Sequence, residues 1–194
     1  MSIVDFKPID TFSKLQQAIK YIDINWVELI KKVIGRDLPV AGNIAVFTHS
    51  NDEYNNLLKI AEKIVEPSNS KKQKYYKLVR PITLGVNKYE WLYIRKPHAE
   101  SPQLGDIDFI LTEEEYNKLN SEVKNGNIKY AKIYDRPNWD MIEIAKYDCK
   151  NSTEARMKEQ EHYELLNATL NSCPPYVDIK PYYCEICNLQ CLNQ

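Results

Sequence analysis

The sequence predicts an α+β fold in which two βαββ-type modules form one curved mixed sheet behind an N-terminal helical segment. Three observations predict it. Apolar residues recur at three-four spacing over 11–34 and 52–65, which places them on one face of a helix. Stretches rich in Tyr, Trp, Val and Ile at 75–83 and 89–95 have the composition of half-buried strands. The order strand, helix, strand, strand then occurs twice. No sequence identity links the two halves, so a ferredoxin-like α/β sandwich is the alternative arrangement of the same elements.

Taken in order, Phe12, Leu15, Ile19, Ile22, Trp26, Leu29, Ile30 and Val33 make the first apolar stripe, with Asp10 or Thr11 to start it and Gly35 to end it. Asp23-Ile24-Asn25 interrupts the stripe with residues that compete for backbone hydrogen bonds, so two angled helices are as well supported as one rod. Residues 43–48 are a short apolar strand, and His49-Ser50-Asn51-Asp52 supplies capping chemistry for a helix over 52–65. A polar, basic loop at 68–74 leads to the hairpin 75–83 and 89–95, whose turn, 84–88, is longer than two residues. Pro97, Pro102 and Gly105 mark an irregular excursion before a strand at 106–111. Thr112 followed by three glutamates starts a helix running to about 123, since Thr caps free donors and carboxylates meet the positive helix end. Strands at 128–134 and 140–147 follow, with Arg136-Pro137-Asn138 between them, then a polar helix at 152–170 and an extended piece at 176–183.

These elements divide the chain into a helical segment 1–42, a paired-module core 43–147 and a helical, cysteine-containing tail 148–194. A length of 194 residues suffices for a sizeable core without metal or disulfides. A net charge of −1 disfavours a surface built wholly for nucleic acid or anionic membrane. No apolar run reaches the roughly 20 residues of a membrane span, and the first ten residues lack the design of a secretory signal. A soluble, cytoplasmic protein with no membrane partner is therefore expected.

Asp106 and Asp108, two apart on a strand, project to the same face and form a candidate carboxylate pair for metal binding or acid-base chemistry. Glu143, between Ile142 and Ile144, alternates in the same way. The same alternation also describes a solvent-facing sheet edge. Arg80, Arg95 and Lys77, with Lys96 beside them, are candidates to hold a carboxylate or phosphate of a ligand or cofactor, and Tyr75, Tyr76, Tyr89, Trp91 and Tyr93 offer ring faces to a planar one. Four of the five cysteines lie near the C-terminal end. Cys184 and Cys187 have the Cys-x-x-Cys spacing that turns two thiolates towards one tetrahedral zinc, and Cys191 with Cys173 would complete four ligands. No Cys-His nucleophile signature, glycine-rich phosphate loop or nucleophile elbow is present.

The helical lead into Leu38-Pro39, the strand at 43–47, the strand from Tyr89 to its closing Pro97 and the string Gly105-Asp106-Ile107-Asp108-Phe109 resemble the vicinal oxygen chelate superfamily, in particular its YecM-like group. The resemblance covers about residues 10–147. It implies paired modules curled around a divalent metal that is chelated by neighbouring oxygens of a small substrate, and a lyase or isomerase activity. Carried over residue by residue, the metal positions fall near Asn43, on Asp106 and near Glu143, with Glu90 as a further donor. Asn43 and Asp106 depart from the family's usual His or Glu. An all-oxygen set suits Mg, Mn or Ca better than Zn or Fe. In that reading Asp106 and Glu143 are the catalytic carboxylates. A different class also fits the sequence: a non-catalytic module that binds a protein or nucleic acid through its aromatic hairpin and zinc-finger-like tail.

Overall fold

The computed structural model describes residues 8–67, 75–98, 103–129, 131–136, 139–144, 182–184 and 189–191. Helix α1, Phe12–Ile34, begins where the Thr11 side chain accepts a hydrogen bond from the Lys14 N–H. It ends at Gly35, whose φ of 83° lets its N–H reach the Lys31 carbonyl. The helix is a single rod, without a break at 23–25. The Asp23 carboxylate is drawn off the helix by a distant hairpin, while Asn25 Nδ2 donates to the Tyr21 carbonyl one turn back in the same helix at 2.8 Å, a bond that leaves the helix continuous.

Strand β1, Val40–Phe47, leads into α2, Asn51–Ala61, capped by Ser50. This helix stops four residues short of the expected end because the chain turns to pair with strand β2, Tyr75–Leu84. The Glu66 N–H donates to the Lys77 carbonyl and the Val79 N–H to the Ile64 carbonyl, and that pairing coincides with the irregular part of β2 between Lys77 and Ile82. Strand β3, Asn87–Arg95, follows after a two-residue turn, tighter than the sequence suggests, with Gly85 at φ 59° in its first central position. Strand β4 is Gly105–Phe109. Helix α3, Glu113–Lys124, has the full capping box between Thr112 and Glu115. Strands β5, Ala131–Arg136, and β6, Trp139–Ile144, form a hairpin, as do β7, Tyr182–Cys184, and β8, Leu189–Cys191. The expected helix at 152–170 lies outside the described residues.

From α1 to β6 the element order is the expected one, and the fold is mixed α and β. Four strands form one mixed sheet in the order β2-β3-β1-β4, with β1 parallel to β3 and antiparallel to β4. That order and those directions are also what a ferredoxin-like split βαβ has. The β5–β6 hairpin is hydrogen-bonded as a separate pair rather than within that sheet.

Alternation along the strands sends Ile44, Val46, Leu92 and Ile94 to the side where α1 and α2 lie, into one core with Leu15, Ile19 and Leu57. A second cluster joins Ile30 and Leu38 to Leu119 of α3 and Ile144 of β6. Helix α1 thus contributes to both. Two polar clasps tie it down. Buried Asp23 accepts hydrogen bonds from Tyr89 Oη at 2.5 Å and Asn87 Nδ2 at 2.8 Å, both on β3. Buried Glu53 of α2 accepts from the Ile9 N–H at 2.9 Å and the His49 N–H at 2.6 Å, holding the chain just ahead of α1.

Candidate functional site

The side of the four-stranded sheet turned away from that first core carries the aromatic and charged residues. Residues directly opposite in register share a face, so the pairings arrange the side chains in rows. Tyr75, Tyr93, Ala45 and Asp106 form one row across β2, β3, β1 and β4. Towards the chain start of β1 the next row holds Lys77, Trp91 and Asn43, and Asn43 Nδ2 donates to Asp108 Oδ2 at 2.5 Å. Towards its end lies Arg95 opposite Phe47.

Ala45 is the smallest side chain in this array and is only 4% exposed. With Tyr93, Phe47, Asn43 and Asp106 around it, it makes the floor of a hollow. The hollow belongs to an open cleft of about 950 Å³ whose far wall includes Tyr116 of α3, Tyr134 of β5 and Met141 of β6. Arg95 lies with its guanidinium carbon 4.5 Å from the centre of the Phe47 ring, a cation–π contact that swings the charge over β1. Tyr75 and Tyr93 pack with ring centres 5.2 Å apart and a 39° tilt. Burial, then the neighbouring Asp108 and Asp106 charges, raise the Tyr75 hydroxyl above its ordinary pKa, so it remains a hydrogen-bond donor at neutral pH.

Of the residues singled out in the sequence, the structure brings Asn43, Asp106 and Arg95 into this cleft, together with Asp108 and the two tyrosines. Glu90 does not line it. Its carboxylate is bonded to Lys88 Nζ at 2.7 Å, and that hydrogen bond and charge hold it below the usual carboxylate range. Arg80 is exposed in the irregular part of β2 and does not line the cleft either. Glu143 stands opposite Lys132 in the β5–β6 register, and its neighbours Ile142 and Ile144 line the cleft. The Glu143 side chain lies outside the described residues. Cys184 and Cys191 stand on β7 and β8, where they pair with Leu189 and Tyr182, while Cys173 and Cys187 fall outside the described residues.

Among the described residues no three His, Cys, Asp or Glu side chains converge as a metal cage would require. Asp106 and Asp108 nevertheless give a carboxylate edge to the hollow, of the hard-donor type that Mg, Mn or Ca accepts. Sequence reasoning missed Ala45, although one signal was available: a small residue between Asn43 and Phe47 on the same strand face marks a gap. No family model matches the chain, and neither a curated protein nor a solved structure matches it.

Proposed function

We propose that the protein binds a small, oxygen-rich ligand in the hollow over Ala45, in the manner of the vicinal oxygen chelate proteins its sequence resembles. The observation that carries this reading is the row Tyr75–Tyr93–Ala45–Asp106, where a gap in side-chain size sits between ring faces and a carboxylate. A divalent ion against Asp106 and Asp108 would leave coordination positions for neighbouring ligand oxygens, as a lyase or isomerase of that superfamily uses. The repeated order β1-α2-β2-β3 and β4-α3-β5-β6 supports a two-module origin, with β1 and β4 antiparallel where the modules meet. Among the described residues no helix is long and apolar enough to cross a membrane.

The test is calorimetric titration with manganese in the presence of oxalate, whose paired oxygens stand in for a chelating substrate. Binding is expected in the native chain and at least ~10-fold weaker in Asp106→Asn, one tenfold step being about 1.4 kcal/mol. Ala45→Leu should weaken it as well by filling the floor. Titrations that give no heat, or heats unchanged in both variants, reject the reading.

A second reading, from a different class, is an interaction module organised by a zinc-bearing tail. The observation favouring it is that Cys184 and Cys191 stand on two paired strands that bracket Cys187. Bound zinc that falls in a Cys184→Ser variant, with oxalate binding absent from the native chain, would favour this second reading. Freely reactive thiols with no zinc in reduced protein would remove it.

A further inference from the structure

The hollow is electrically lopsided. At the Phe47 end stands the Arg95 guanidinium, which lies on the Phe47 ring and forms no ion pair among the described residues. Beside Ala45 and Asn43 stand the Asp106 and Asp108 carboxylates. One two-residue step along β1 separates the Phe47 row from the Ala45 row, about 6.8 Å. A ligand carrying only negative charge would meet two carboxylates, and one carrying only positive charge would meet the guanidinium. A polyanion such as a nucleic acid strand is the worst match. A small molecule with both charges satisfies both ends, because its carboxylate can accept charge-assisted hydrogen bonds from the guanidinium while its cationic nitrogen pairs by charge with the carboxylates. The side wall suits the positive end too, since the Tyr75 and Tyr93 rings offer faces to an ammonium group.

We propose that the hollow over Ala45 takes a small zwitterion, with its carboxylate against Arg95 and its ammonium against Asp106, Asp108 and the Tyr75–Tyr93 wall. This rests on the cleft being the ligand site and names the class of ligand it takes. Its ammonium takes the place at the acidic edge that a divalent ion would hold in the broader reading, so the two are alternative occupants of one site.

Three probes of similar size separate the charges: glycine betaine carries both, choline the positive one and acetate the negative one. Calorimetric titration of the full chain should show betaine binding at least ~10-fold more tightly than either single-charge probe, about one charge pair's worth. Arg95→Gln should abolish the advantage of betaine over choline, and Asp106→Asn its advantage over acetate. Arg95→Lys should retain the betaine preference, and circular dichroism melts of each variant separate a binding defect from a folding defect. Equal affinity of the native chain for betaine and either single-charge probe overturns the proposal. So does binding of manganese with oxalate but of no betaine, which leaves the cleft reading standing. No binding of any of these overturns both.

Discussion

Replacing Tyr89 by Phe removes one oxygen and opens no cavity, so its effect isolates the clasp between α1 and β3. The hydroxyl donates to a carboxylate that is 8% exposed, and the remaining donor is Asn87 Nδ2. A buried hydrogen bond to a charged group is worth about 1.5–3 kcal/mol, so a loss of about 2 kcal/mol is expected at neutral pH. With a urea slope of about 2 kcal/mol/M, the midpoint should fall by about 1 M. The sign of the pH dependence follows from Asp23. Burial raises its folded pKa, and the bonds from Tyr89 and Asn87 pull the other way without cancelling the rise. The folded chain therefore holds this proton more tightly than the unfolded chain does. The stability contributed by proton binding is fully present below the unfolded value of about 3.9 and is lost as pH rises through the folded value. Tyr89→Phe deletes one of the opposing bonds and drives the folded value higher still. The cost should thus be larger at about pH 7 than at about pH 4, where a protonated Asp23 loses a neutral bond worth about 1 kcal/mol. Urea unfolding of both proteins at the two pH values measures this. Equal losses at both, or a loss under ~0.5 kcal/mol at neutral pH, would refute the argument.

Two further outcomes follow from single residues. Burial pushes the Glu53 carboxyl up, but the His49 imidazole, 3.5 Å away, and hydrogen bonds from the Ile9 and His49 backbone N–H groups outweigh it and hold the folded value below the usual range. Its stabilisation is present above the unfolded value of about 4.3 and lost as pH falls through the folded value, so Glu53→Gln should flatten the acid side of a stability profile and cost about 1–3 kcal/mol at neutral pH. Gly105→Ala would drive a methyl group into the Ala45 carbonyl oxygen and Ile22 Cδ1, where backbone cannot give way cheaply, so a loss of about 3 kcal/mol is expected by thermal or urea unfolding.

What the sequence reveals here is what neighbouring residues decide. Thr112 and Glu115 are three apart and cap each other, so the start of α3 was readable before any tertiary contact was known. Asp106 and Asp108 share a face by strand alternation alone. The continuity of α1 was not readable, because the donors that occupy Asp23 come from Asn87 and Tyr89, far along the chain. The same limit applies to α2, shortened by pairing of 64–66 with β2. Glu90 has the right chemistry for a metal ligand, but Lys88 two residues earlier lies on the same strand side and takes it. The hollow depends on which strands become neighbours. In sequence Ala45 shows only as a small residue between Asn43 and Phe47, and it becomes a floor when Tyr93 and Asp106 flank it.

The clasp on Asp23 also governs timing. Its partner Tyr89 lies 66 residues downstream, and the Trp26 Nε1 donates to the Gly105 carbonyl, 79 residues downstream. At a synthesis rate of about 5–20 residues per second, the partner for Asp23 is made roughly 3–13 seconds after Asp23 itself. During that interval Leu15, Ile19 and Ile22 have no sheet to cover them, since Leu92, Ile94 and Ile107 have yet to be made. The nascent chain must therefore carry a sticky, unsatisfied helix until β3 and β4 have been made. Slow translation of residues 35–90 should lengthen its exposure to holding chaperones, whereas slow translation after Ile107 should not.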